Sequence, residues 1–487
     1  MQVTINSPLI KPRSYHIVQT QQMVNFSAKQ NQLMKRLITI LALLPLLAIA
    51  QNKDSVMIKK FSDEILRNGT AYDLLYQLTK QVGGRLAGSP QFAKAELWGK
   101  AAMEHIGADE VFLQECMLPH WVRGGQDKAV ITELDKKKVT RALDVVALGN
   151  SLGSNGKTIT ADVLMVADFA ELERRKDEVK GKIVYYNYGF NPTNIQPFVS
   201  YGEVGIYRRS GPSRAAKYGA VAVMIRSLTE STANDPHTGA MAYTDSIPKI
   251  PAVAVGPRDA DYLWNIKTGF KVSLKTNGQF LPDTIGHNVI AVLKGSEFPD
   301  EIITIGGHLD SWDVNEGAHD DGAGIVHTIE ILRAMKAIGY KPKHTIHFVL
   351  FANEENGLRG GLKYAEKAKA NNEKHIFALE SDEGGFTPRG FGFTIKDKTK
   401  LAKVQSWLPL LRPYGTERMI DGGGGADIGP LGPAFGTPMS GFIPDPQRYF
   451  DLHHARSDVF ENVNKRELLL GAVNMAGLIY LVDQYGL

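Results

Sequence analysis

The sequence predicts an α/β fold, a mixed and largely parallel sheet flanked by helices, with an inserted β-rich domain. Three observations predict it. From His287 onward, long apolar strands alternate with helical stretches, and such alternation builds a parallel sheet whose faces are covered by crossover helices. Between about Gly124 and Asp283 the texture changes to short β-rich runs separated by Gly, Asn, Ser and Pro clusters. Before that, from Asp54 to about Arg123, the pattern is mostly helical, with the Gly-rich turn GGRLAGSP between two amphipathic stretches.

Taken in order, the first element is a leader. Lys35 and Arg36 precede an apolar run from Leu37 to Ala50 that closes on Ala48, Ile49 and Ala50, the layout of a signal peptide with a small-x-small cleavage site. The run is shorter than the roughly 20 residues needed to span a bilayer. We therefore expect a signal peptide at residues 34–50, an exported chain that is periplasmic or secreted, and residues 1–33 as an upstream mis-start before Met34. Residues 1–50 hold Lys11, Arg13, Lys29, Lys35 and Arg36 and no acidic residue, so their removal takes the formal charge from +4 to −1. The basicity belongs to the leader, and nothing in the rest argues for nucleic acid. No other segment reads as long and apolar enough to cross a membrane, so no stable anchor is expected. Cys116 is the only cysteine, which excludes an internal disulfide.

Residues 51–123 are expected to form the N-terminal part of the α/β domain, residues 124–283 the insert, and residues 284–487 the remainder of that domain. The insert is read from ADVLMVADF, GKIVYYNYGF, AVAVMIRS and IPAVAVG. The later strands are NVIAVLKG, EIITIGGHLD, HTIHFVLF and HIFALE, with helices from about Gly322 to Ile338 and near Leu362 to Ala370.

Ligands of open α/β sheets sit beyond the carboxyl ends of strands, and here those ends are polar. EIITIGG runs into His308, Leu309 and Asp310; HTIHFVLF into Asn353, Glu354 and Glu355; HIFALE into Ser381, Asp382 and Glu383. Asp320 and Asp321 open the following helix, and FDLHHARSD supplies His453 and His454. Each has a plain alternative: Asp320 as a helix cap, the glutamates as a solvated turn, the histidine pair as an exposed loop. Together, imidazoles and carboxylates along one sheet rim form the ligand set of divalent zinc. A dication there would offset the repulsion between two adjacent buried glutamates. His319 and His327 read as structural.

The stretches GGHLDSWDVNEGAHDDGAG, FANEENG, ESDEGG and HHARSD resemble the co-catalytic dizinc exopeptidases, and the texture between them is most similar to the carboxypeptidase Q branch. The likeness covers nearly all of the chain after the leader, including GGRLAGSP, and implies a zinc exopeptidase fold whose insert is a protease-associated domain. It implies two zinc ions per chain, with His308 and Asp382 on one, Glu355 and His454 on the other, and Asp320 bridging. It further implies Asp310 as the carboxylate that orients His308, and Glu354 as general base. The resemblance also implies His454 rather than His453, since it stands four residues before Asp458 as the family's ligand stands before its own aspartate, with His453 as the alternative. Asn353 departs from the small residue common in relatives at that position. The implied activity is hydrolysis of dipeptides or of peptide N-termini through an activated water, on a small peptide substrate, with a homodimer as candidate assembly. The alternatives are a glutamate-preferring carboxypeptidase and a non-catalytic receptor-like protein on the same fold. Asp427, in GGGGADIGP, is a candidate for holding the substrate amine.

Overall fold

A computed structural model describes residues 53–487, of which 58–487 form one compact unit. The expectations for residues 1–33 and 34–50 lie outside the described residues. Two eight-stranded sheets organise the unit.

The first sheet runs in the order Glu110–Val122, Gln279–Leu293, His344–Phe351, Phe298–His308, Lys374–Glu380, Met439–Pro444, Pro388–Thr394, Arg418–Asp421. Its four central strands are parallel and the pairs flanking them antiparallel. The central strands are apolar on both faces because helices cover both. Ala323–Ala337 and Lys465–Tyr485 pack together, the former against the central strands. On the other face Tyr364 and Ala365, from the helix Arg359–Ala370, join a core with Ile290, Val349, Phe351 and Ala378.

Two features depart from the sequence reading. The strand Glu110–Val122 lies where helix was expected, pairing along its length with Gln279–Leu293. It is a sheet-edge strand whose burial is too patchy to give a clean two-residue alternation, so its sequence lacks the usual strand signal. The helix Lys465–Tyr485 is long and apolar enough to cross a membrane, contrary to expectation, but most of it is buried inside the fold. It is a core helix: Asp483 near its end accepts from the amides of Lys343 and His344.

The second sheet, formed between residues 128 and 275, has the order Lys137–Leu143, Lys128–Leu134, Phe270–Lys275, Ile159–Val166, Ile183–Tyr186, Ala222–Arg226, Ala252–Val255, Val145–Ala147. The expected boundary at 283 falls inside the strand Gln279–Leu293 of the first sheet. The region is also less β-rich than expected. Four of its strands are parallel and are covered by the helices Pro197–Ala216 and Pro257–Ile266, each opening on a proline at its first position. The longer helix is masked in the sequence by Gly202, Gly205, Gly211 and Pro212. Tertiary packing overrides that poor propensity: Tyr186 rests against Gly211 and donates its hydroxyl to the Gly211 carbonyl at 3.0 Å.

Candidate metal centre and catalytic cavity

The candidate site forms where the parallel strands end. Phe298–His308 delivers His308, the adjacent His344–Phe351 delivers the Asn353-Glu354-Glu355 turn, and Lys374–Glu380 leads into Asp382. The departure at Asn353 has a backbone cause. Its φ is +63°, a left-handed conformation that asparagine tolerates better than most residues, and it is fully buried. The turn it makes directs the amides of Glu354 and Glu355 to the Asp310 carboxylate, at 3.0 and 3.3 Å.

Asp310 thus meets both His308 and the glutamate turn. His308 Nδ1 lies 3.0 Å from the Asp310 carbonyl oxygen and 3.7 Å from its carboxylate. The carbonyl fixes the imidazole tautomer, while the carboxylate is engaged by the glutamate turn. With the proton on Nδ1, His308 presents Nε2 to Asp382 at 3.1 Å and to Asp320 at 3.2 Å. His454 Nε2 is 3.1 Å from Glu355 and 3.2 Å from the other oxygen of Asp320. Asp320 thus stands between two imidazole and carboxylate pairs, and all five residues expected as ligands converge.

Neighbouring groups leave less room for other assignments. Asp321 lies close to His308 and Asp382, but its oxygens already accept from the amides of His308 and Gly324 at 3.0 and 2.8 Å. His453 reaches Asp320 at 3.5 Å; it stacks on His454 and packs edge-on against Tyr201, and burial together with His454 holds its pKa well below the imidazole range. His454 has φ +63°, uncommon for a side chain of its size, and is held by the Thr238 amide donating to its carbonyl at 3.0 Å. Asp458 accepts from the amides of His319 and Asp320 at 2.7 and 3.1 Å and so fixes the bridging residue. His319 and His327 are engaged by main chain and Ser381.

The electrostatics are those of a site built for cations. Burial opposes charge on His308, yet Asp382, Asp310 and Asp320 outweigh it and hold its pKa well above the usual range. His454 is raised in the same sense, burial being outweighed by Glu355 and Asp320. Burial and Asp320 push Glu355 up to about 7, and burial and the neighbouring carboxylates raise Glu354 well above its ordinary value. Glu355 Oε1 is buried without a hydrogen-bond partner, and Asp320 Oδ2 meets only imidazole nitrogens, His454 at 3.2 Å and His453 at 3.5 Å. An orphaned carboxylate oxygen beside imidazole nitrogens fits a metal, because a buried acceptor without donor or cation is costly.

Sequence reasoning missed Arg85, although GGRLAGSP was noticed. Arg85 is fully buried, and burial lowers its pKa to about 10, against the pull of Asp458, Asp310, Asp321 and Asp320. Its guanidinium donates to the carbonyls of Leu309, Glu316 and Gly317 at 2.6, 2.7 and 3.0 Å, clasping the loop between His308 and Asp320. Gly84 permits the approach, since a Cβ there would lie 2.7 Å from the Asn315 carbonyl oxygen. Asp427 does not line the cavity. It is fully buried beneath Gly361 with both carboxylate oxygens unpartnered, beside Glu380.

A cavity of about 350 Å³ opens onto the site. Asp320, Glu354, Glu355, Asp382 and the histidine pair form one wall; Phe198, Tyr201, Arg208 and Arg209 of the helix Pro197–Ala216 form another. The region of the second sheet is anchored there by Thr229, which donates to the Phe450 carbonyl at 2.6 Å, and by an aromatic cluster joining Phe190, Phe198 and Tyr201 to Tyr449 and Phe450.

This fold and rim of imidazoles and carboxylates define a metallopeptidase. Peptidase family M28 matches residues 288–478. Carboxypeptidase Q of Homo sapiens is 35% identical over 415 residues, covering 85% of each chain, and that of Xenopus laevis 37% identical over 391 residues, covering 80% of each. The crystal structure of a peptidase M28 precursor from Shewanella amazonensis superposes with a TM-score of 0.83 at 30% identity, over 89% of this chain and 97% of that one. A zinc aminopeptidase from Bacillus subtilis shares the fold, with a TM-score of 0.61 at 20% identity, over 86% of this chain and 95% of that one. The chain belongs to peptidase family M28, in the company of the carboxypeptidase Q proteins.

Proposed function

We propose that the chain is an exported exopeptidase that holds two zinc ions and hydrolyses dipeptides or the N-terminal residues of short peptides. The observation that carries this reading is Asp320 set between His308 with Asp382 and His454 with Glu355, at 3.1 to 3.2 Å, with Glu354 on the cavity wall beside them. His308 and Asp382 would hold one ion, Glu355 and His454 the other, and Asp320 both. When bound, the ions supply Lewis-acid activation of water and of the scissile carbonyl.

The chain's own residues do the rest. Glu354 takes the proton of the attacking water and passes it to the leaving amine, and its raised affinity for a proton suits both transfers. Asp310 holds the main chain of both glutamates, so one carboxylate can bind metal while its neighbour faces the cavity. Asp458 fixes Asp320, and the insert wall limits substrate size. The similarity to carboxypeptidase Q supports a peptide substrate.

The test separates the two glutamates. Glu354→Gln keeps its zinc and loses about 10²- to 10⁴-fold in kcat, the usual worth of a positioned general base. Glu355→Gln loses zinc and activity together. Zinc content by atomic emission, with kcat on a panel of free and end-blocked dipeptides, decides. A wild-type protein fully active with one zinc refutes the dinuclear assignment, and the opposite pattern in the two variants reverses the roles.

A further inference from the structure

One of the proposed metal ligands stands on main chain that the second sheet holds. The left-handed backbone of His454, at φ +63°, is kept by a residue with a side chain only where its surroundings dictate it. Those surroundings are two consecutive donors. His237 Nδ1 lies 2.7 Å from the His453 carbonyl oxygen, which can only accept, so the ring carries its proton on Nδ1. The Thr238 amide donates to the His454 carbonyl at 3.0 Å. These carbonyls belong to the two planar peptide groups on either side of the His454 Cα, and holding both planes fixes the two dihedrals that aim its side chain.

The segment that supplies the donors is itself fastened to the second sheet. Ser227 Oγ, just past the strand Ala222–Arg226, accepts from the His237 amide at 3.0 Å and donates to the Val255 carbonyl at 2.7 Å. The Thr238 hydroxyl donates to the Ala147 carbonyl at 2.9 Å, and the Gly239 carbonyl accepts from the Gly149 amide at 3.0 Å. His237 and Thr238 are each 1% exposed, so water does not compete for the carbonyls they hold. Gly239, at φ +125°, closes the clasp: a Cβ there would lie 2.6 Å from His454 Nδ1, so only glycine leaves the ring in place. His308 is built differently, for its ring is oriented by the carbonyl of Asp310, two residues along its own chain. His237 stands 216 residues before the carbonyl it holds.

We infer that His237 is the positioning residue of the metal site formed by His454 and Glu355, so that the second sheet governs metal affinity at that site and not at the one formed by His308 and Asp382. This rests on the two-metal reading of the same cavity. His237 acts through main chain alone. Metal sites tolerate ligand displacements of only about 0.2 Å, and His454 Nε2 must serve an ion shared with Glu355 and Asp320, which it meets at 3.1 and 3.2 Å. Without the Nδ1 donor the His453 carbonyl is left buried and unpaired, a costly state that the peptide leaves by turning. That turn passes directly to the His454 Cα, because the Thr238 amide holds only the following plane.

The experiment titrates zinc into the metal-free full chain by calorimetry, for wild type, His237→Leu, His237→Asn, His237→Gln and Thr229→Val. Asn places an amide nitrogen where Nδ1 stands, and Gln places it one bond further out. Wild type should bind two ions. His237→Leu and His237→Gln should weaken one of them by about 10- to 100-fold, the usual effect of losing a group that orients a ligand, and the other by less than about threefold. His237→Asn should restore most of that affinity. Thr229→Val, which frees the Phe450 carbonyl in the same loop, should change neither ion. In the Glu355→Gln background, where that site is already lost, His237→Leu should leave the remaining ion unchanged. Equal weakening of both ions, Asn no better than Gln, or Thr229→Val as damaging as His237→Leu overturns the inference, and so does wild-type affinity for both ions in every His237 variant. Should His237→Leu not fold, the comparison of Asn with Gln decides. A wild type that binds one ion removes the two-metal reading and this inference with it.

Discussion

Replacing Arg85 by Met removes the clasp from the loop between His308 and Asp320 while keeping most of the side chain's apolar length. Three buried or part-buried carbonyls, those of Leu309, Glu316 and Gly317, lose their donor. At about 1 to 3 kcal/mol for each stranded group, the expected loss is about 3 to 9 kcal/mol. That is a large fraction of the roughly 5 to 15 kcal/mol that holds a domain folded. Arg85→Lys keeps the charge but cannot span three acceptors, so it should fall between the two. The assay is urea unfolding with chelator and again with zinc, alongside zinc stoichiometry. The Met variant should unfold at a lower midpoint in both conditions and bind zinc more weakly, because Asp320 hangs from the loop Arg85 secures. A variant that unfolds within about 0.5 kcal/mol of wild type and keeps its full zinc would refute the reasoning.

Two further outcomes are expected. Burial and Glu380 raise the Asp427 pKa well above the carboxylate range, and burial and Asp382 raise Glu380 to about 7. Groups with folded pKa values above their unfolded ones favour the fold at low pH and weaken it as pH rises from about 4 toward 7 and beyond. Asp427→Asn should therefore raise the unfolding midpoint at pH 8, by about 1 to 3 kcal/mol, and change little at pH 4; equal effects at both pH values, by denaturant titration, would count against it. Cys116 is 2% exposed and its thiol is pushed up to about 12 by burial and Glu96. At pH 8 the native protein should resist thiol reagents that label it rapidly in denaturant, and equal labelling rates would show the burial to be wrong.

The parts of this protein legible in its sequence are those whose chemistry is local. Strand ends carrying His308, Glu354, Glu355 and Asp382 could be read because each follows an apolar run, whereas the preference for His454 over His453 came from the resemblance, and both histidines lie beside Asp320. Arg85 could not be read, because its partners are main-chain carbonyls and leave no mark on the residues that own them. The role of Asp310 was half legible: its proximity to His308 is a matter of spacing, but only the left-handed turn at Asn353 brings the glutamate amides to its carboxylate. The helix Pro197–Ala216 was hidden by glycines and a proline that suit its packing against Tyr186. Arg208 was invisible because His454, which it meets in the cavity, lies far along the chain.

The way the second sheet is spliced in bears on how the chain is made. On a ribosome, Glu110–Val122 emerges long before Gln279–Leu293, the strand beside which it lies, and at roughly 5 to 20 residues per second the wait is roughly 10 to 30 s. Left as a slack loop, the intervening segment would oppose that pairing through its conformational freedom. Its own sheet prevents this, for Lys128 at one end pairs with Lys275 at the other. Once the segment has folded, its two ends emerge side by side a few residues from Val122 and Gln279, which are themselves partners. If the segment folds as it emerges, it would hold the early strand beside the place its mate will take, before Gln279–Leu293 is made.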